Sequence, residues 1–167
     1  MPSFLLTWSP LRYDWTDLPA MARRVRKGRR VLDRWSCARS KQIRKGDRLF
    51  MLRQGAEPRG IFASGWAVSD WYEDANWRGP GCCNYLDLVY DALLDPATEA
   101  ILPREALLEL GPMHWDTQMS GIQIPEPVAR ALEKAWSTRR HAGSPRRGAF
   151  GAAAGPSERC SHRPRGK

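Results

Sequence analysis

Tryptophan stands at positions 8, 15, 35, 66, 71, 77, 115 and 136, and several of these indoles have cations or amides close by in sequence. That mixture suits binding better than bond-breaking. An indole offers a flat apolar face on which a nucleobase stacks for about 1–3 kcal/mol. A guanidinium or ammonium beside it holds the phosphates on either side. The stretch DRWSCARSKQIRKGDRLFM, residues 33–51, sets Trp35 and Ser36 among Arg34, Arg39, Lys41, Arg44 and Lys45. A second stretch, DWYEDANWRGPG at 70–81, sets Trp71 and Trp77 in what reads as a loop, where burial is hard to arrange and a functional role is favoured. Trp8 closes the first apolar run, SFLLTW.

Two or three such indoles converging on one rim would sandwich a planar ring, as proteins that extrude a base do. The candidate pocket is Trp8, Trp35 and Ser36 with Trp71 and Trp77, between which the sequence does not choose, and Gln118 and Ser120. Ser36, Asn76, Gln118 or Ser120 would meet the polar edge of the ring. Arg34, Arg39, Lys41, Arg44, Arg53 and Arg59 are the candidates for backbone phosphates. Trp15, Trp66 and Trp136 are expected in the core, since large aromatics are usually well buried.

Catalytic chemistry finds little support. His114 is the one histidine before residue 137, and no serine or cysteine stands near it in a triad-like context. No phosphate-cradling glycine loop, HExxH or paired-carboxylate metal motif occurs. Cys37, Cys82, Cys83 and Cys160 lack zinc-ligand spacing and are expected as reduced thiols. Neither metal nor cofactor is expected. An enzyme acting on a base through Asp87 or Asp91 is a weaker reading, because no partner acid or base is evident. A protein-interaction barrel with a tryptophan-rich core is the plainest one.

The elements that must position these residues alternate as β-α-β-β-β-β-α-β-α. SFLLTW, RRVLDRWS, DRLFMLRQ, RGIFASGWAVSD and NYLDLVYDALL read as strands, the fourth bent at Ala63-Ser64-Gly65. A helix is expected to start at Thr16 or Asp17 and stop at Gly28. LPREALLEL and PEPVARALEKAW are the other helices. The expected fold class is α+β: a strongly curved antiparallel β-barrel of five to six strands flanked by helices. Residues 1–136 form the expected domain and 137–167 a basic, disordered tail. That tail holds eight of the 27 Lys and Arg residues and one acid, so most of the net charge of +9 belongs to it. No apolar run is long enough to span a membrane, and a soluble cytoplasmic protein is the expectation.

FLLTW, RWSCARSKQIRKGDRLFMLRQG, EPRGIFASGWAVSD, YLDLVYDALLD and HWDTQMSGIQIP together resemble the EVE domain, a PUA-like relative of the YTH and ASCH domains. The resemblance covers about residues 2–136 and is greatest to EVE domains fused ahead of HNH nucleases in modification-dependent restriction enzymes. It implies a PUA-like barrel that flips 5-methylcytosine or 5-hydroxymethylcytosine of DNA into an aromatic pocket. By position, Trp35 and Ser36 match one cage wall and Trp71 the other, with Trp77 competing; Gln118 and Ser120 lie where the pocket would close. RNA is the alternative partner. Where the fused nuclease would follow, this sequence has an Arg/Gly/Ala-rich stretch. That leaves a stand-alone reader, a nuclease partner in trans, or a truncated frame.

Overall fold

The computed structural model describes residues 1–142, and the greater part of the expected tail, from residue 143 on, lies outside the described residues. The elements in chain order are β1 (Ser3–Trp8), α1 (Leu18–Arg26), β2 (Leu32–Ala38), β3 (Arg48–Arg53) and β4 (Gly60–Ala67). They continue with β5 (Tyr72–Ala75), β6 (Cys82–Leu93), β7 (Leu102–Pro103), α2 (Arg104–Leu108), β8 (Ile122–Ile124) and α3 (Glu126–Ala142). The α+β class holds, but three features of the expected barrel do not. The sheet has eight strands, in the order β2-β6-β4-β3-β1-β8, with β5 on β6 and β7 on β4. It is also mixed, because β1 runs parallel to β3, Ser3 opposite Arg48 through Trp8 opposite Arg53. The barrel is not closed: β2 and β8 end the strand path without pairing.

The two unforeseen strands have simple causes. Tyr72–Ala75 carries charged residues and reads as loop, yet it adds to the start of β6 as an exposed edge, Tyr72 opposite Tyr85 and Ala75 opposite Cys82. Charge suits an edge strand. β7 is two residues long, below what any pattern reveals. α3 runs six residues past Trp136, and Arg139 and Arg140 on that extension bond the Ala100 carbonyl (3.1 Å) and Asp91 (2.8 Å). Specific partners, rather than an apolar period, carry the helix on.

β1 and β3 are buried on both faces, which is why SFLLTW and RLFMLR read as continuous apolar runs. Phe4, Leu6, Trp8, Leu49 and Met51 point into one core with Trp15, Trp35, Phe62 and the apolar face of α1. Leu5, Phe50 and Leu52 point into the other, covered by Leu107 of α2 and by Val128, Leu132 and Trp136 of α3. Each such side chain contributes about 1.5–3 kcal/mol of apolar burial. The pairing of β4 is irregular near the expected place: Phe62 is the extra residue against β3, and the shift at Ser64/Gly65 leaves Asp91 of β6 as the extra one, where any Cβ on Gly65 would come within 2.3 Å of the Val89 carbonyl oxygen.

Trp66 is not in either core. It is 38% exposed, and the Arg48 guanidinium lies 4.7 Å from its ring. Trp66 shares its face of β4 with Ser64, and the Arg48 guanidinium, which also pairs with Glu133 of α3, lies against its ring.

Candidate functional site

β1 and β8 pair only at Ser3–Leu5, so the last residues of β1 present a free edge. The curl of the sheet brings β2 towards that edge, and side chains span the seam in place of a backbone ladder. Trp35 Nε1 donates to the Thr7 carbonyl (3.2 Å). The Ser120 hydroxyl accepts from the Thr7 amide (3.3 Å) and donates to the Ser36 carbonyl (2.8 Å), so one side chain joins both strands. Gly121 allows this crossing. Its φ is +78°, and a Cβ there would meet Ser40 Cβ at 2.6 Å and the Cys37 carbonyl oxygen at 2.7 Å.

A cavity of about 330 Å³ opens at this seam, at the lower end of the size usual for small-ligand sites. Of the seven expected pocket residues, Trp8, Trp35, Ser36, Trp77, Gln118 and Ser120 line it, and Trp71 does not. Trp71 instead packs beside the core around Ile43, with Lys41 Nζ 5.4 Å from its ring. The β5 strand separates the two loop tryptophans and turns only the second toward the seam.

The aromatic arrangement differs from a bare pair of facing indoles. Tyr13 meets both Trp35 and Trp77 edge-on, at 6.0 Å in each case. Trp35 is 4% and Trp8 7% exposed, so each offers the cavity an edge while packing on Trp15 behind it at 5.0 and 5.7 Å. Tyr13 was not singled out by the sequence; its one signal there is an aromatic two residues beyond the Ser9-Pro10-Leu11 turn. The same turn supplies Arg12, whose guanidinium donates to Gln118 Oε1 across the mouth.

The expected phosphate-binding cations scatter. Arg39 lines the cavity and has no ion pair among the described residues. Arg34 lies 3.8 Å from the Tyr85 ring centre and pairs with Asp74 at 2.9 Å. Arg59 pairs with Glu57 and Asp116. Arg44 donates to the carbonyls of Lys41 and Ile43. Arg53 sits over the outer face of Trp8 and donates to the Pro58 carbonyl, and burial lowers its pKa from the ordinary arginine value. Arg12 and Arg78, the latter over Trp77 at 5.5 Å, join Arg39 at the cavity instead. No carboxylate lines the cavity.

Several polar groups at the site are already engaged. Gln54 Nε2 donates to the Trp115 and Thr117 carbonyls. Asn76 organises its own turn, accepting from the Arg78 amide at 3.1 Å. Ser36 Oγ accepts from Ala38 N at 3.2 Å and stands 3.7 Å from the Cys83 thiol. Ala38 carries a φ of +57°, a left-handed backbone that costs an L-residue on the order of 1–2 kcal/mol. It lines the cavity too, at the β2 register shift between Ser36 and Ala38. The pKa of the Cys37 thiol behind it is pushed up to about 12 by burial.

No family model matches the chain, and no curated protein matches it in sequence. Solved structures do match. A hypothetical protein from Leishmania major superposes with a TM-score of 0.58 at 17% identity, over 84% of this chain and 98% of the other. A protein from Pseudomonas syringae gives 0.55 at 16%, over 79% and 97%. The human THYN1 protein, solved in complex with DNA containing 5-methylcytosine, gives 0.52 at 13%, over 83% and 98%. This chain shares their fold.

Proposed function

We propose that this chain reads modified DNA by extruding a 5-methylcytosine into the cavity at the β1–β2 seam. The observation that carries the reading is the make-up of that cavity: an aromatic wall and three arginines, with no carboxylate. Such a lining suits a flat ring flanked by phosphates and repels nothing anionic. The THYN1 neighbour, solved with 5-methylcytosine DNA, supports the choice of base.

In this reading Trp77, Tyr13 and the edges of Trp8 and Trp35 meet the ring. Arg12, Arg39 and Arg78 hold the neighbouring phosphates. Entry of the base displaces Arg12 from Gln118, which frees that amide for the polar edge of the ring. Ser120 maintains the seam and does not read the base, because its hydroxyl is already used in both directions. Discrimination then rests largely on apolar contact with the 5-methyl group, which is worth about 1–3 kcal/mol. The sequence resemblance supports a restriction setting in which an HNH nuclease on another chain cuts the marked DNA.

The test is competition binding at about 150 mM salt, where screening acts beyond about 8 Å. The duplexes differ at one cytosine, which is plain, 5-methyl or 5-hydroxymethyl, and a matched RNA is the fourth competitor. The methylated duplex is expected to win by about tenfold or more. Trp77→Ala should reduce that ratio, whereas Arg39→Gln should weaken every duplex alike. Equal affinity for all three DNAs would defeat the reading, and a preference for the RNA would redirect it. Trp77 is the better probe than Trp35, whose truncation in the core would cost about 3–5 kcal/mol of stability.

A further inference from the structure

Residues 1–136 hold nineteen basic and seventeen acidic residues, yet residues 23–30 alone hold six of the basic ones and no acid. The rest of that span is therefore net acidic, thirteen against seventeen. The six cations occupy the last turns of α1 and the link to β2. Arg26 is answered by Glu99 at 2.5 Å. Arg23, Arg24, Lys27, Arg29 and Arg30 are all exposed and have no carboxylate partner among the described residues.

The helix dipole accounts for part of this. Cations in a last turn gain about 0.3–1 kcal/mol each, and the benefit fades within that turn. Arg29 and Arg30 lie beyond it, and Arg23 and Lys27 are four residues apart, where like charges destabilise a helix by about 0.2–0.5 kcal/mol. The dipole thus accounts for the last-turn cations but not for Arg29 and Arg30, whose charge meets no carboxylate among the described residues and would be answered by a polyanion.

Its position is also distinct from the cavity. Cys82 and Cys83, at the start of β6, line the cavity. Leu93 and Leu94, at and just after the other end of β6, line a cleft with Arg26, Arg139, Arg140 and His141. Ten residues of strand separate these ends, up to about 33 Å at 3.3 Å per residue.

We propose that Arg23, Arg24, Lys27, Arg29 and Arg30 form a second DNA-binding surface that grips the phosphate backbone and takes no part in reading the base. It draws on the functional reading above only for the class of ligand. None of the five lines the cavity that would hold an extruded base. The surface therefore supplies sequence-blind, salt-sensitive affinity, while the cavity supplies discrimination.

The experiment measures binding of the full chain to plain and 5-methylcytosine duplexes from about 50 to about 200 mM salt. One variant changes all five residues to glutamine; a second changes the four arginines to lysine. For the glutamine variant, the slope of log K against log salt should flatten by about 2–4. Its affinity at the lowest salt should fall about tenfold or more for both duplexes, with their ratio unchanged. The lysine variant should bind like the parent, since only charge is required. An unchanged slope in the glutamine variant would overturn the proposal, as would a change in the methyl ratio. If the slope flattens but neither duplex is preferred, this surface stands and the base-reading cavity falls.

Discussion

The β1–β2 seam and the face of the sheet under α3 are built from similar residue types and finished in opposite ways. Under α3, Trp136 donates to Ser64 (2.7 Å) and Ser64 donates to Asp91 (2.6 Å). Asp91 also accepts from Arg48 (3.0 Å) and Arg140 (2.8 Å), and Arg48 makes a two-point pair with Glu133 at 3.0 and 2.9 Å. That network uses its groups on one another and fixes the helix. At the seam, one hydroxyl and one indole N–H replace a strand ladder, Ala38 carries an unfavourable backbone, and Arg39 is left with no ion pair among the described residues. The contrast separates scaffold from site: one internally paired polar cluster fixes α3 on the sheet, and the opening keeps Arg39 without an ion pair among the described residues.

Substitutions on the two sides should therefore differ in kind. Trp136→Ala empties a fully buried site and removes a hydrogen bond, so urea denaturation should show a loss of about 3–5 kcal/mol. The folded fraction should keep its preference for methylated DNA. Arg48→Met should cost about 2–3 kcal/mol, somewhat less than breaking a fully buried pair because Glu133 and Asp91 still reach water. Ser120→Ala should cost only about 1 kcal/mol, the worth of an ordinary hydrogen bond. It should nonetheless weaken binding of modified DNA more than either scaffold substitution, because it loosens the cavity wall. If Ser120→Ala unfolds the chain while leaving binding per folded molecule intact, the seam belongs with the scaffold.

Two smaller effects sharpen the contrast. Burial works to raise the Asp91 pKa, but the bonds from Arg48, Ser64 and Arg140 hold it below the ordinary carboxylate value. Folding thus favours the charged form. Its stabilisation is complete above the ordinary carboxylate range and is lost as the pH falls through the lowered value. Asp91→Asn should flatten the decline in Tm below about pH 5 relative to the parent. At the seam, thiol labelling near pH 8 should modify exposed Cys82 and spare buried Cys37, as peptide mapping would read.

Much of this was legible in the sequence, for physical reasons that differ by element. β1 and β3 declare themselves because burial on both faces leaves an unbroken apolar run, and α1 because its apolar period ends at Gly28, whose φ is +72°. Trp8, Trp35, Trp71 and Trp77 read as candidates for one rim from strand ends and loop positions; the resemblance adds Gln118 and Ser120 as the closing segment and favours Trp71, which does not line the cavity. Tyr13 and Arg12 were missed because an irregular turn has no period to betray which way its side chains point. Trp66 was misplaced because its face of β4 is covered there by the Arg48 cation and not by apolar side chains. Arg34 read as a free cation because its partner, Asp74, is 40 residues away, whereas Arg59 has its nearer partner, Glu57, only two residues before it.

The central claim is that a base leaves the duplex and enters the seam. The most direct measurement places 2-aminopurine next to the 5-methylcytosine and follows its fluorescence as the protein is added, with anisotropy reporting saturation. Extrusion removes a stacking neighbour, so the signal should rise at saturation for the parent chain and much less for Trp77→Ala. Saturated binding of the methylated duplex with no rise would mean that the base stays stacked, and would contradict the account.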